Sequence, residues 1–165
     1  MTTNISHFFD KTLLAKYNTS GPRYTSYPTA LEFSENFQEP DLIQAIEQSP
    51  SEELSLYIHI PFCHSLCYYC GCNKIVTRHQ DKADVYLGYL LKEIDHRAPL
   101  FERYKVRQVH LGGGTPSFLT DAQLTRLINK IKSSFEFTQS IEMSIEIDPR
   151  EIEVNKIDEL KALGF

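Results

Sequence analysis

All four cysteines of this 165-residue chain, Cys63, Cys67, Cys70 and Cys72, fall within ten consecutive positions. Thiolates three and four residues apart can converge on one metal centre from a single loop. Zinc is the ordinary occupant of clustered cysteines, but a structural zinc site usually takes two ligands from one knuckle and two from a distant one, and this chain has no second knuckle. Iron-sulfur clusters, by contrast, are held by runs of cysteines on one loop. The CxxxCxxC spacing of Cys63, Cys67 and Cys70 offers three ligands to a four-iron cube and leaves one iron open. Two disulfides would fit the cysteine count, yet pairing over such short spacings would strain the loop and restrain little chain.

Two further stretches carry residues suited to chemistry. Gly112-Gly-Gly-Thr-Pro116 has no lysine after it and matches neither a P-loop nor a GxGxxG fingerprint. Its glycines would let backbone amides and carbonyls approach a ligand without an intervening side chain; a plain tight turn is the alternative. Further on, Ile141, Met143, Ile145 and Ile147 alternate with Glu142, Ser144, Glu146 and Asp148. On one strand Glu146 and Asp148 would face the same way, about 7 Å apart. Such a pair invites a glycosidase-like acid-base reading, although neighbouring carboxylates on a solvent-facing strand are commoner. A salt bridge is the first expectation for Arg150.

Taken together, the CxxxCxxC loop after a hydrophobic strand, the leader Gly21-Pro-Arg-Tyr-Thr-Ser-Tyr-Pro-Thr-Ala30, the run Cys70-Gly-Cys-Asn-Lys-Ile-Val-Thr-Arg78, Gly112-Gly-Gly-Thr-Pro116 and Glu146-Ile-Asp-Pro-Arg-Glu151 resemble the oxygen-independent coproporphyrinogen III oxidases (dehydrogenases) of the radical S-adenosylmethionine (SAM) superfamily. The resemblance runs from residue 7 to the end. It implies an α/β fold, the N-terminal half of a partial (β/α)6 radical SAM barrel with an N-terminal extension. Residues 1–50 would form the arm and its helices, and residues 51–165 the first part of the barrel, ending before the remaining strands and a C-terminal domain.

The resemblance also implies roles. Cys63, Cys67 and Cys70 would hold a 4Fe-4S cluster, and SAM would take the open iron through its amino nitrogen and carboxylate. Gly113, Gly114 and Thr115 would bind the aminoacyl part of SAM, and Glu146 its ribose hydroxyls. Tyr57 would contact SAM, and Tyr69 a second SAM. Cys72 is placed outside the cluster ligands, as a thiol for loop positioning or catalytic redox chemistry. Bound to the reduced cluster, SAM would give a 5'-deoxyadenosyl radical that takes hydrogen from the propionates of coproporphyrinogen III. Decarboxylation would then yield the vinyl groups of protoporphyrinogen IX. Arg23, Lys74 and Arg78 are the cations available for the substrate carboxylates, Tyr24 and Tyr27 could close the mouth, and His59 and His64 could supply supporting hydrogen bonds. A low-potential electron donor and a terminal acceptor are required partners, and a cytoplasmic monomer is expected. Residues 1–165 alone are expected to turn over little substrate. The alternatives are a heme-chaperone-like homologue and a noncatalytic zinc-binding interaction module.

These residues need elements to position them. Leu54 to Ile60 alternates aliphatic residues with Ser55, Tyr57 and His59, as a strand with two distinct faces does. Ala83 to Arg97 has helical spacing in Tyr86, Leu90 and Ile94, with Pro99 beyond its end. Val106 to Leu111 reads as a second strand. Thr120-Asp-Ala-Gln123 has the capping-box form, opening a helix with Leu124, Leu127, Ile128 and Ile131 on one side. Ile141 to Asp148 reads as a third strand, and Ile157, Leu160 and Leu163 as a helix that Gly164 stops. Upstream, Phe9, Leu13 and Tyr17 make a modest helical stripe, residues 18–30 an arm, and Pro40 to Gln48 a short helix sealing a core edge through Leu42, Ile43 and Ile46. Three βα alternations imply a parallel sheet. The cysteine loop, the glycine stretch and Asp148-Pro-Arg150 each follow a strand, so all three belong at the C-terminal mouth where parallel α/β folds bind ligands.

Composition narrows the classes further. A hydrophobic content of 41% suits a folded core, and no apolar run approaches the length of a membrane span. Met1-Thr-Thr-Asn-Ile-Ser-His lacks the basic and apolar regions of a secretory signal, and a reducing compartment keeps thiols free for a cluster. A net charge of -5 argues against general nucleic-acid binding.

Overall fold

Three parallel strands carry the molecule in a computed structural model that describes residues 10–18 and 29–165. They are β1 (Glu53–Ile60), β4 (Lys105–Gly113) and β5 (Glu136–Ile145), hydrogen-bonded in the order β1-β4-β5. Between β1 and β4 lie the two-residue strands β2 (Phe62–Cys63) and β3 (Ile75–Val76), which pair in parallel, and then α3 (Asp81–Arg97). α4 (Asp121–Ser134) joins β4 to β5, and α5 (Val154–Leu163) follows β5. The alternation expected for a parallel α/β sheet is therefore present.

Aliphatic residues decide which face is covered. Ile58, Ile60, Val109 and Leu111 share a buried cluster with Leu87 and Ile94 of α3 and Leu124, Leu127, Ile128 and Ile131 of α4. Residues three and four apart on each helix thus meet residues two apart on each strand. α4 begins with the capping box: Gln123 N donates to Thr120 Oγ1 at 3.3 Å and Thr120 N to Gln123 Oε1 at 3.0 Å. α5 ends at Gly164, whose φ of 108° is left-handed, and the Gly164 N–H returns to Leu160 and Lys161 carbonyls.

The strands are less regular than their alternation suggests. Arg107 is skipped in the register, so that Leu54↔Val106 is followed by Ser55↔Gln108 on one side of β4; on the other, Val106↔Phe137 is followed by Gln108↔Glu142, which also skips residues 138–141 of β5. This bulge puts Val106 and Val109, three apart, in the same buried cluster. β5 begins earlier than the expected Ile141 and ends at Ile145. Beyond it Glu146 N still bonds Leu111 O at 2.9 Å, but the Asp148 carboxylate accepts the Arg150 N–H at 3.0 Å and Glu151 N donates to Asp148 O at 3.1 Å. That turn, with Pro149 unable to donate a ladder bond, stops the strand. Glu146 and Asp148 are therefore not alternate residues of one strand.

The chain divides into two compact units, Met1–Glu39 and Pro40–Phe165. The first contains α1 (Lys11–Tyr17), opened by the Asp10 carboxylate accepting from Thr12 N at 2.8 Å and Leu13 N at 3.2 Å. Leu13 and Tyr17 of the expected stripe are exposed; Phe9, Arg23, Tyr24 and Tyr27 lie outside the described residues. α2 (Glu39–Gln48) contains no buried residue, which corrects its expected role in sealing the core. It is tied down by polar groups instead. The Arg103 guanidinium donates to the carbonyls of Ile46, Glu47 and Ser49, and Tyr104 Oη donates to Ile46 O. A cation thereby satisfies the unpaired carbonyls of a helix C-terminus. Among the described residues no helix is long and apolar enough to cross a membrane.

Candidate active site

The cysteine loop leaves β1 through Pro61 and is closed at its neck by β2 and β3. Ile75 N donates to Pro61 O at 2.7 Å and Thr77 N to Cys63 O at 2.9 Å. A third tie comes from His59, whose Nε2 stands 2.8 Å from Asn73 O. Because a carbonyl only accepts, Nε2 carries the hydrogen, and Nδ1 is left to accept from the Tyr57 hydroxyl at 3.3 Å. Within the loop Cys63 is buried, Cys67 and Cys70 are half-buried, Cys72 is exposed, and none is in a disulfide. Charge on neighbouring Cys70 pushes the Cys72 thiol up from its ordinary value, with desolvation adding to it.

The loop roofs a cavity of about 810 Å3 at the C-terminal end of the sheet. Its wall brings together Cys63, Cys67, Cys70, Cys72 and Tyr69 from the loop, Gly113, Gly114 and Thr115 around the end of β4, and Glu146 after β5. Lys74 lines it too, whereas Arg78 and His64 do not; the His64 ring packs on Phe118 at 4.6 Å between centroids. Tyr57 is also outside the wall. Its ring stacks on His110, centroids 5.8 Å apart, and its hydroxyl is pushed up by burial and by the Glu146 and Cys72 charges. Tyr69 is 93% exposed, so it belongs to the rim.

The glycines serve packing as well as access. A Cβ on Gly114 would stand 2.7 Å from the Pro61 carbonyl carbon and oxygen, and one on Gly113, where φ is +113°, would stand 2.6 Å from the His59 ring. Only glycine lets β4 pass this close to the root of the cysteine loop. The approach brings the Thr115 hydroxyl to 3.5 Å from Cys63 Sγ. At the next strand end the Glu146 carboxylate accepts from Gly113 N at 3.2 Å. Asp148 forms a two-pronged salt bridge with Arg150, at 2.9 Å to Nε and 2.6 Å to Nη2. This hydrogen-bonded guanidinium holds the Asp148 carboxyl at about 2, and Asp148 in turn pushes Arg150 up. The salt bridge expected of Arg150 is thus the one observed.

Reading the sequence for motifs missed His110. It stands opposite Tyr57 in β1 and Ser144 in β5, and its Nδ1 lies 2.7 Å from Ser144 Oγ while Nε2 lies 3.5 Å from Glu146 Oε1. The signal was a histidine two positions before the glycine stretch on a strand whose register was not known.

The donor set suits a cluster. Four free thiols sit on one loop, three at the CxxxCxxC spacing, with a hydroxyl directed at one sulfur. Among the described residues no three His, Cys, Asp or Glu side chains converge on a single metal-ion position; cysteines that each bind a separate iron of a cube do not need to.

Comparison with known proteins places the chain in a family. The family model for the radical SAM superfamily matches residues 57–165, and the chain belongs to that superfamily. Its curated relatives include the oxygen-independent coproporphyrinogen III oxidase of Escherichia coli K12, 59% identical over 157 residues that make up 95% of this chain and 34% of that one. A Mannheimia haemolytica protein of the same name is 54% identical over 86% of this chain and 97% of its own length. Within the superfamily, the chain belongs to the oxygen-independent coproporphyrinogen III oxidase family. The solved structure of the Escherichia coli coproporphyrinogen III oxidase, titled a radical SAM enzyme, matches with a TM-score of 0.84 and 56% identity over 93% of this chain and 34% of that one. The chain spans about a third of the length of the first curated relatives it matches. Membership implies a 4Fe-4S cluster and SAM as cofactors.

Proposed function

We propose that this chain carries the cluster and SAM site of an enzyme that oxidatively decarboxylates coproporphyrinogen III to protoporphyrinogen IX without oxygen. The observation that carries the reading is one cavity walled by Cys63, Cys67, Cys70, the Gly113 to Thr115 turn and Glu146, in a chain similar to proteins named for that activity. When bound, a reduced cluster with SAM on its open iron supplies hydrogen-atom abstraction. For each propionate the balance is loss of one hydrogen atom, one carbon dioxide and one electron, leaving a vinyl group.

The chain's own residues bind and orient. Cys63, Cys67 and Cys70 hold three irons, and Cys72, exposed and outside that set, stays available for redox chemistry. The Thr115 hydroxyl donates toward Cys63 Sγ; a hydrogen bond to a cluster sulfur draws charge away and raises the potential. Gly113, Gly114 and Thr115 present backbone to the aminoacyl end of SAM, Glu146 accepts from its ribose hydroxyls, Tyr57 contacts it, and Tyr69 on the rim contacts a second SAM. Lys74 faces the substrate carboxylates. Two SAM molecules per enzyme, a low-potential electron donor, a terminal electron acceptor and a monomer working in the cytoplasm complete the reading. The division into an arm of residues 1–50 and a barrel portion of 51–165 belongs to it as well.

Anaerobic reconstitution tests the centre directly. We expect about four irons and four sulfides per chain, lost in Cys67→Ala. One zinc with no iron or sulfide would make the chain a zinc module. Product formation from coproporphyrinogen III by the full-length protein under strict anaerobiosis then tests the substrate.

A further inference from the structure

The polar side of the sheet is built in rungs. Ser55, Gln108 and Glu142 are register partners across β1, β4 and β5, and so are Tyr57, His110 and Ser144. Ser55 Oγ donates to Gln108 Oε1 at 3.0 Å and Gln108 Nε2 to Glu142 Oε2 at 3.1 Å, so the first rung is held by its own side chains. The second rung differs. Its central imidazole takes Ser144 on one nitrogen and reaches one rung further with the other, toward Glu146.

Partner chemistry assigns the tautomer. A carboxylate only accepts, so the nitrogen 3.5 Å from Glu146 Oε1 carries a hydrogen; in the neutral ring Nδ1 then accepts the Ser144 hydroxyl hydrogen at 2.7 Å. The Tyr57 ring lies against the imidazole at 26° between planes and limits its rotation. Gly112 makes room for the meeting. A Cβ there would stand 3.0 Å from His110 Nε2, 3.1 Å from Tyr57 Cε2 and 3.2 Å from Glu146 Cδ, so three side chains converge over one absent one. Glu146 thus has Oε2 hydrogen-bonded to the Gly113 N–H at 3.2 Å and Oε1 facing His110 Nε2 at 3.5 Å.

From this geometry we infer that His110, oriented by Ser144 and Tyr57, is a positioning residue that aims the Glu146 carboxylate at the hydroxyls of a bound ribose. The inference rests on the SAM site proposed above. A carboxylate with two oxygens and about four acceptor positions can face both a protein donor and a vicinal diol. A fixed carboxylate loses less conformational freedom when the nucleoside arrives. His110 accordingly acts through Glu146 and touches no substrate itself.

A double-mutant cycle on the reconstituted full-length protein reads this directly. SAM dissociation constants are measured by equilibrium dialysis for the wild type, Glu146→Gln, His110→Ala and the double variant, with iron content and thermal midpoint recorded for each. Glu146→Gln is expected to weaken SAM by about 30-fold, as for hydrogen bonds to a charged group, and His110→Ala by about 5-fold, as for a half-exposed contact to a carboxylate. In the Glu146→Gln background, His110→Ala should add less than about 2-fold. His110→Gln, whose amide can donate to the carboxylate, should recover most of the affinity, which a purely structural role would not explain. If Glu146→Gln leaves SAM affinity unchanged, the ribose reading of Glu146 falls and the inference with it. If Glu146→Gln weakens SAM while the two effects multiply independently, the SAM site stands and the role of His110 is overturned. Should His110→Ala not fold, Ser144→Ala enters the same cycle, with an expected weakening of about 3-fold that vanishes in the Glu146→Gln background.

Discussion

The two faces of the β1-β4-β5 sheet are made by the same strands and do different work. On one, Ile58, Ile60, Val109 and Leu111 disappear beneath α3 and α4. On the other, Tyr57 and His59, Gln108 and His110, and Ser144 and Glu146 stand in polar rungs leading to the cavity. Apolar burial is non-directional and tolerates neighbours of the right volume, so the covered face sets the fold. Hydrogen bonds are directional and expensive to leave unmade, so the open face sets where each polar atom points. Substitutions of adjacent residues on one strand should therefore separate stability from ligand binding.

The largest expected effect comes from the covered face. Leu111, fully buried in β4 beside His110, should lose about 2–5 kcal/mol of stability on Leu111→Ala, measurable by denaturant unfolding. A loss under about 1 kcal/mol would mean that this face does not set the fold. Gly114→Ala comes next. Its Cβ would meet Pro61 and Phe62 backbone at 2.7–2.8 Å, and backbone cannot swing aside as a side chain can. We expect about 1–3 kcal/mol of destabilisation together with lower iron retention, because the same contact brings Thr115 to Cys63. Gln108→Ala on the open face should stay within about 1 kcal/mol of the wild type, which would sharpen the contrast with Leu111.

Asp148→Asn tests the rim of the cavity through pH. The folded pKa of about 2 lies below the ordinary 3.8, so the Asp148–Arg150 bridge contributes stability that is fully present above about pH 4 and lost as pH falls toward 2. The wild type should exceed Asp148→Asn by a small, constant margin near neutrality, and the two should converge across that window. Parallel acid-unfolding curves would remove the bridge from the account.

Much of this was legible along the chain. Cysteine spacing needs no tertiary information because the ligands share a loop, and the capping box at Thr120, the αL stop at Gly164 and the periodicities of β1 and α4 are local. Less legible was where strands shift against each other. The bulge at Arg107 left one trace, apolar Val106 and Val109 an odd step apart, and the end of β5 was hidden because Ile147 continues the alternation through a residue that is 41% exposed. α2 misled in the same way, since Leu42, Ile43 and Ile46 look like a core stripe although the helix is held by Arg103 and Tyr104.

By itself the amino-acid sequence determined the donor set, three thiols at a spacing that suits a cluster, and the βα alternation that delivers them to the mouth of a parallel sheet. Tertiary structure alone decided that Thr115 reaches Cys63, that His110 stands between Ser144 and Glu146, and that Tyr57 stacks on His110 beside the cavity. The reason is physical: a local spacing is set by covalent geometry, whereas a contact between residues 34 or 52 positions apart depends on strand register. That register is chosen by the burial of the opposite face and shifted at Arg107 in β4 and across residues 138–141 in β5.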